Sequence, residues 1–112
     1  MKQIAPRDLT AHCAVQPTLL LDVREPWEVS LASIQVPGTS ALAIPMNELP
    51  ARLQDLDREW THTQPVVCIC HHGVRSAQVV AWLEQRGFKA VYNLAGGIAA
   101  WSRQVDPQVP SY

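Results

Sequence analysis

Cys70, His71, His72, Gly73, Val74, Arg75 and Ser76 stand in one uninterrupted run, and their types suit one kind of chemistry. A cysteine thiolate is a strong nucleophile, and it forms most readily beside a cation or at a helix N-terminus. Arg75 offers a permanent charge and a planar fork of donors suited to an oxyanion. Gly73 lets the backbone enter conformations that a β-carbon would penalise. If the loop curls, its amides converge into an anion-binding nest. The run predicts a nucleophilic Cys70 in a cradle of amides, next to a pocket for a small anion.

Such a loop needs a strand before it and a helix after it. Val66 to Ile69 is short, apolar and β-branched, the pattern of a buried strand. Ser76 is expected to cap a helix that carries Val79, Val80, Trp82 and Leu83 on one side and stops at Gly87. Upstream, Lys2-Gln3-Ile4 permits a short strand, and Pro6 a helix with Leu9 and Cys13 buried. Thr18 to Val23 reads as a strand apolar on both faces until Asp22, as central parallel strands are. A short helix from Pro26 to about Leu31, a turn at Val36-Pro37-Gly38 and a strand from Ser40 to Ile44 follow. Leu49, Leu53 and Leu56 space as a helical stripe, and Asp57 to Gln64 as a polar connector. Ala90 to Leu94 gives another strand, and Gly96-Gly97 turns the chain into a helix bearing Ile98, Trp101 and Val105. Strand and helix patterns alternate throughout, so the fold class is α/β with a mainly parallel sheet. Ligands of such sheets sit beyond the carboxyl ends of strands, where both Cys70 and the Asp22-Arg24-Glu25 group fall.

With 112 residues the chain suits one domain, taken as 1–105, followed by a Pro-rich tail, 106–112, expected to be loosely held. The formal net charge of −1 gives no general pull toward nucleic acid or a membrane surface. No apolar run is long enough to span a bilayer, no signal-peptide layout is present, and a cytoplasmic setting is expected. Three irregularly spaced cysteines argue against a disulfide framework. Cys68 and Cys70 are two apart on a strand, about 6–7 Å between β-carbons, whereas a disulfide wants about 4 Å. Cys68 is therefore a strand-packing residue, with a sulfur-relay role as the alternative. Cys68, Cys70, His71 and His72 cannot close a tetrahedron while the first two stay in a strand, so no metal is expected.

Three segments together resemble the single-domain rhodanese, or sulfurtransferase homology, family: Leu20-Leu21-Asp22-Val23-Arg24-Glu25, Cys70 to Ser76, and Asn93-Leu94-Ala95-Gly96-Gly97 with Trp101. The likeness runs from about residue 3 to Trp101. It implies a five-stranded sheet with helices on both faces, and a Cys70 that takes a sulfane sulfur from a donor such as thiosulfate, becomes a persulfide, and passes the sulfur on. It also implies that residues 71–76 surround the sulfur, with Arg75 as closing cation, and that no cofactor is needed. The partners implied are a small anionic sulfur donor and a protein sulfur donor or acceptor. Four residues separate Cys70 from Arg75; related phosphatase and arsenate-reductase domains have one more, so the loop favours a single sulfur atom over a tetrahedral oxyanion. A non-turnover relay module is the rival reading. Ala32-Ser33-Ile34 stands where the family often has Gly-His-Ile. Asp22 and Arg24 are expected to pair beneath the loop rather than touch substrate, and His71-His72 to become cationic below about pH 6.5.

Overall fold

A computed structural model describes the chain from Met1 to Tyr112, the side chains of Asp57 and Glu59 excepted. Strands β1 (Gln3–Ile4), β2 (Leu19–Asp22), β3 (Ser40–Ala43), β4 (Val66–Ile69) and β5 (Val91–Leu94) alternate with helices α1 (Pro6–Val15), α2 (Pro26–Leu31), α3 (Leu49–Glu59), α4 (Val74–Gln85) and α5 (Gly97–Gln104). The five strands form one sheet in the order β1-β5-β4-β2-β3, every pair parallel. The connector expected from Asp57 starts three residues later, less than one helical turn, because α3 continues to Glu59 before the chain leaves it.

Strand side chains alternate between two cores, as the period of two requires. Leu19, Leu21, Val66, Cys68 and Cys70 join Leu49 and Leu56 of α3 and Val79, Val80 and Leu83 of α4. Leu20, Val67, Ile69 and Leu94 join Leu9 and Cys13 of α1 and Ile98 and Trp101 of α5. Both faces of the sheet are thus covered, which is why β2 and β4 are apolar on both sides. In α5 the apolar side stops short of the expected Val105, which lies past the helix end and is exposed.

The segment after α5 departs most from expectation. It folds back over the second core: Val109 is buried there, its carbonyl accepts from the Ser102 hydroxyl, and Tyr112 packs at the edge of the same cluster. Apolar Val109 and the Tyr112 ring supply the contact area that a merely polar Pro-rich tail would lack. None of the helices is long and apolar enough to cross a membrane, among the described residues.

Candidate active site around Cys70

Helix α4 begins at Val74, earlier than expected, with Gly73 at its cap in the left-handed region (φ 93°). Ser76 is therefore inside the first turn and caps nothing. Gly73 and Ser76 instead aim their amides at one point: both donate to Cys70 Sγ, at 3.1 and 3.3 Å. The Ser76 hydroxyl lies 3.2 Å from the same sulfur and donates to Asn93 Oδ1. Asn93 Nδ2 donates in turn to the Gly73 carbonyl and to Gln3 Oε1. These bonds fix which end of the Asn93 amide faces Ser76. Cys70 is buried, with only 1 % of its surface exposed.

The loop's other side is held by α5. The Ile98 and Ala99 amides at its first turn donate to the Cys70 and His71 carbonyls, at 2.9 and 3.0 Å. With those carbonyls drawn outward, the following amides turn toward the sulfur. The approach is close enough that a β-carbon on Gly97 would lie 2.5 Å from the Cys70 carbonyl oxygen. The Gly96-Gly97 turn is thus part of the wall behind the loop.

A second network binds the charges. Arg24 is completely buried and spends all its N–H donors on Asp22, the Glu28 and Ala32 carbonyls and the Tyr112 hydroxyl. Burial works against its charge, but the bonds to Asp22 and Tyr112 outweigh it and raise its pKa further. Arg24 and Asp22 form a bidentate pair at 2.7 Å that ties the end of β2 to α2. Arg75 makes a second bidentate pair, with both carboxylate oxygens of Glu28, at 2.7 and 2.8 Å. Glu28 also accepts from the Glu25 amide and from the Tyr112 hydroxyl. The Arg75 bond, working against burial, holds the Glu28 carboxyl at about 2, and the same bond raises Arg75. The Arg75 guanidinium, expected as the loop's closing cation, is therefore already matched by a carboxylate.

His71 and His72 stack on one another (centroids 3.9 Å apart), and Tyr112 stacks on His71 at 3.9 Å and 7°. They line a cavity with Ile98, Ala99 and the tail, on the α5 side. Desolvation, then the His72 charge, lower the His71 pKa. Val74 is largely exposed and turned outward. On the opposite side, Arg75 lines a pocket of about 320 Å³ with Val23, Glu25, Met46 and Asn47. Cys68 is sealed in the α3/α4 core, where burial raises its thiol pKa strongly. Glu28, Asn93 and Tyr112 were not among the site residues expected from the sequence. Only Asn93 carried a signal, as part of the Asn93-to-Gly97 segment; Glu28 lies 47 positions from Arg75, Tyr112 lies 84 from Glu28 and 88 from Arg24, and neither shows a local pattern.

A family model for the rhodanese-like domain matches residues 5–104. A protein named sulfurtransferase from Allochromatium vinosum is 38 % identical over 91 residues, covering 81 % of this chain and 78 % of that protein. A rhodanese-like/PpiC domain-containing chloroplast protein of Arabidopsis thaliana is 40 % identical over 93 residues, and there the match covers 83 % of this chain but 30 % of the relative. Among solved structures, SSP1007 from Staphylococcus saprophyticus superposes with a TM-score of 0.74 at 32 % identity, over 94 % of this chain and 97 % of that one.

Proposed function

The chain belongs to the rhodanese-like domain family, and on that premise we propose that it is a sulfurtransferase that carries sulfur as a persulfide on Cys70. The observation that supports this best is the convergence of the Gly73 and Ser76 amides on Cys70 Sγ. Donors held in place before the reaction stabilise the charge that the sulfur carries when it attacks and when it leaves. The Cys70 thiolate attacks the outer sulfur of thiosulfate or of another sulfane donor. The donor's S–S bond breaks, its electron pair leaves with sulfite or a thiolate, and the outer sulfur stays on Cys70. A nucleophilic acceptor then takes that sulfur and returns Cys70 as the thiolate.

The donor enters through the pocket lined by Val23, Glu25, Met46, Asn47 and Arg75. Because Glu28 neutralises Arg75, the attraction for an anionic donor falls mainly on the loop amides and on the remaining donors of Arg75. His71 and His72 act from the outer side of the loop. The reaction needs no cofactor, and a cytoplasmic setting, with all three cysteines free, fits a thiol-based carrier.

Intact-protein mass after incubation with thiosulfate tests the proposal. A gain of one sulfur atom, absent in Cys70→Ser, is expected; no adduct with thiosulfate or with a thiol persulfide overturns it. Turnover with thiosulfate and cyanide then separates an enzyme from a relay module that is loaded but does not cycle.

A further inference from the structure

The pocket beside Arg75 does not end there. Met46, in the turn before α3, also lines a second and mainly apolar pocket of about 220 Å³ with Leu49, Pro50, Gln78, Val79 and Trp82. Arg75, Gln78, Val79 and Trp82 recur at helical spacing on α4, so the two pockets, which share Met46, adjoin along that helix as a groove that begins at Arg75. An inorganic donor or a small acceptor reacting at Cys70 would leave the far half of that groove empty. We propose that the groove is the docking track for a protein sulfur acceptor, entered by an extended segment whose thiol reaches Cys70.

The groove dictates the segment's chemistry. Arg75 and Trp82 are seven positions apart in the sequence, about 10 Å along a helix at about 1.5 Å per residue. An extended chain covers that in about three residues, at about 3.3 Å each. An apolar side chain about three places from the thiol would therefore fill the space between Met46, Pro50 and Trp82. Beyond it stands Arg86, exposed and laid over the Trp82 ring at 4.1 Å, a cation at the far end of the track. An acidic residue after the apolar one complements it. The order thiol, spacer, apolar, acidic matches charge and polarity along the whole track.

This inference rests on the Cys70 persulfide proposed above for its chemistry. There, the acceptor thiolate attacks the outer sulfur, a new S–S bond forms, and the bond to Cys70 Sγ breaks. The persulfide leaves on the acceptor, and the electron pair remains on Cys70 as the thiolate facing the Gly73 and Ser76 amides. Atoms and electrons balance without a further reagent.

Docking can be read without any chemistry. Cys70→Ser protein is titrated with a synthetic Ser-Gly-Gly-Leu-Glu peptide and followed by NMR. Shifts are expected at the Met46 methyl, the Gln78 amide and the Trp82 indole. Replacing the peptide leucine by glycine should weaken binding at least about tenfold, the factor for burying a leucine side chain. Gln78→Trp, which fills the track from an exposed position, should do the same. No shifts at these residues at millimolar peptide, shifts centred elsewhere, or equal binding of the glycine peptide overturns the proposal. So do concentration-dependent shifts at the same residues without peptide, which would assign the groove to a second copy of the chain. A missing thiosulfate adduct on the unmodified protein would instead refute the persulfide reading and leave the docking result standing.

Discussion

Glu28→Gln tests whether the Arg75 charge is balanced inside the protein. The carboxylate accepts two bonds from Arg75, one from Tyr112 and one from the Glu25 amide. Its side chain is 5 % exposed, against 36 % for Arg75. The pair thus lies between an exposed ion pair, worth about 0–1 kcal/mol, and a buried one, whose breakage costs about 3–5 kcal/mol. The carboxyl falls from the ordinary 4.5 to about 2 in the folded chain, and at about 1.4 kcal/mol per unit that amounts to about 3 kcal/mol at neutral pH. An amide keeps the shape but replaces one acceptor oxygen by an NH2 that faces the two donors the oxygen accepted from, so a loss of about 2–3 kcal/mol is expected. For a domain of this size that lowers the melting temperature by roughly 8–15 °C. The pH dependence has a definite sign. Because folding depresses the Glu28 pKa, its contribution is complete above about 4.5 and disappears as pH falls through about 2. The difference between the parent chain and Glu28→Gln should therefore shrink by about half by pH 3. Urea denaturation at pH 7, 5 and 3, with Arg75→Gln and the double variant to complete a cycle, measures both. A coupling between Glu28 and Arg75 below about 0.5 kcal/mol at pH 7, or a difference that does not fall with pH, would refute the reasoning.

Other outcomes follow from single contacts. Gly97→Ala places a β-carbon against the Cys70 carbonyl at φ 64°, and should cost at least about 2 kcal/mol in urea denaturation. Ser76→Ala leaves Asn93 Oδ1 buried without its hydroxyl donor and should cost about 1–3 kcal/mol, measured the same way. Cys68→Ala should leave the one-sulfur mass adduct intact, since the Cys68 thiol is buried with a raised pKa; its loss would assign Cys68 a relay role. The His71 imidazole should titrate by NMR below the ordinary 6.5, so its neutral, stacked form stabilises the fold above that pH and the contribution is lost as pH falls. Tyr112→Ala, which uncovers the ring, should move the midpoint back up.

What could be foreseen and what could not divides along the range of the interactions involved. The strands and helices carry their own periodicity, and Cys70 to Ser76 is one contiguous run, so its residue types can be read together without the fold. The cap moved from Ser76 to Gly73 because tertiary bonds compete for the serine: the Asn93 carbonyl and the Cys70 sulfur claim a hydroxyl that would otherwise cap. Propensity could not register that, since Asn93 is 17 positions away. Glu28 and Tyr112 are harder still. A glutamate in a short helix is ordinarily a solvated residue, and a tyrosine in a Pro-rich tail an unconstrained one.

Only when β2 and β4 lie side by side, with Asp22 opposite Ile69, does α2 bring Glu28 under Arg75. The folded tail then brings Tyr112 onto Arg24, Glu28 and His71 together. That assembly changes what Arg75 is for. A guanidinium held bidentately by a carboxylate is a rigid brace for the loop before it is a charge for a ligand, and in the chemistry proposed above the sulfur is held by the amides of Gly73 and Ser76. Backbone donors cannot be read from composition, because every residue but proline has one. They become a site when neighbouring elements pin the loop, as the Ile98 and Ala99 amides do from behind and the Glu28–Arg75 pair does from the side.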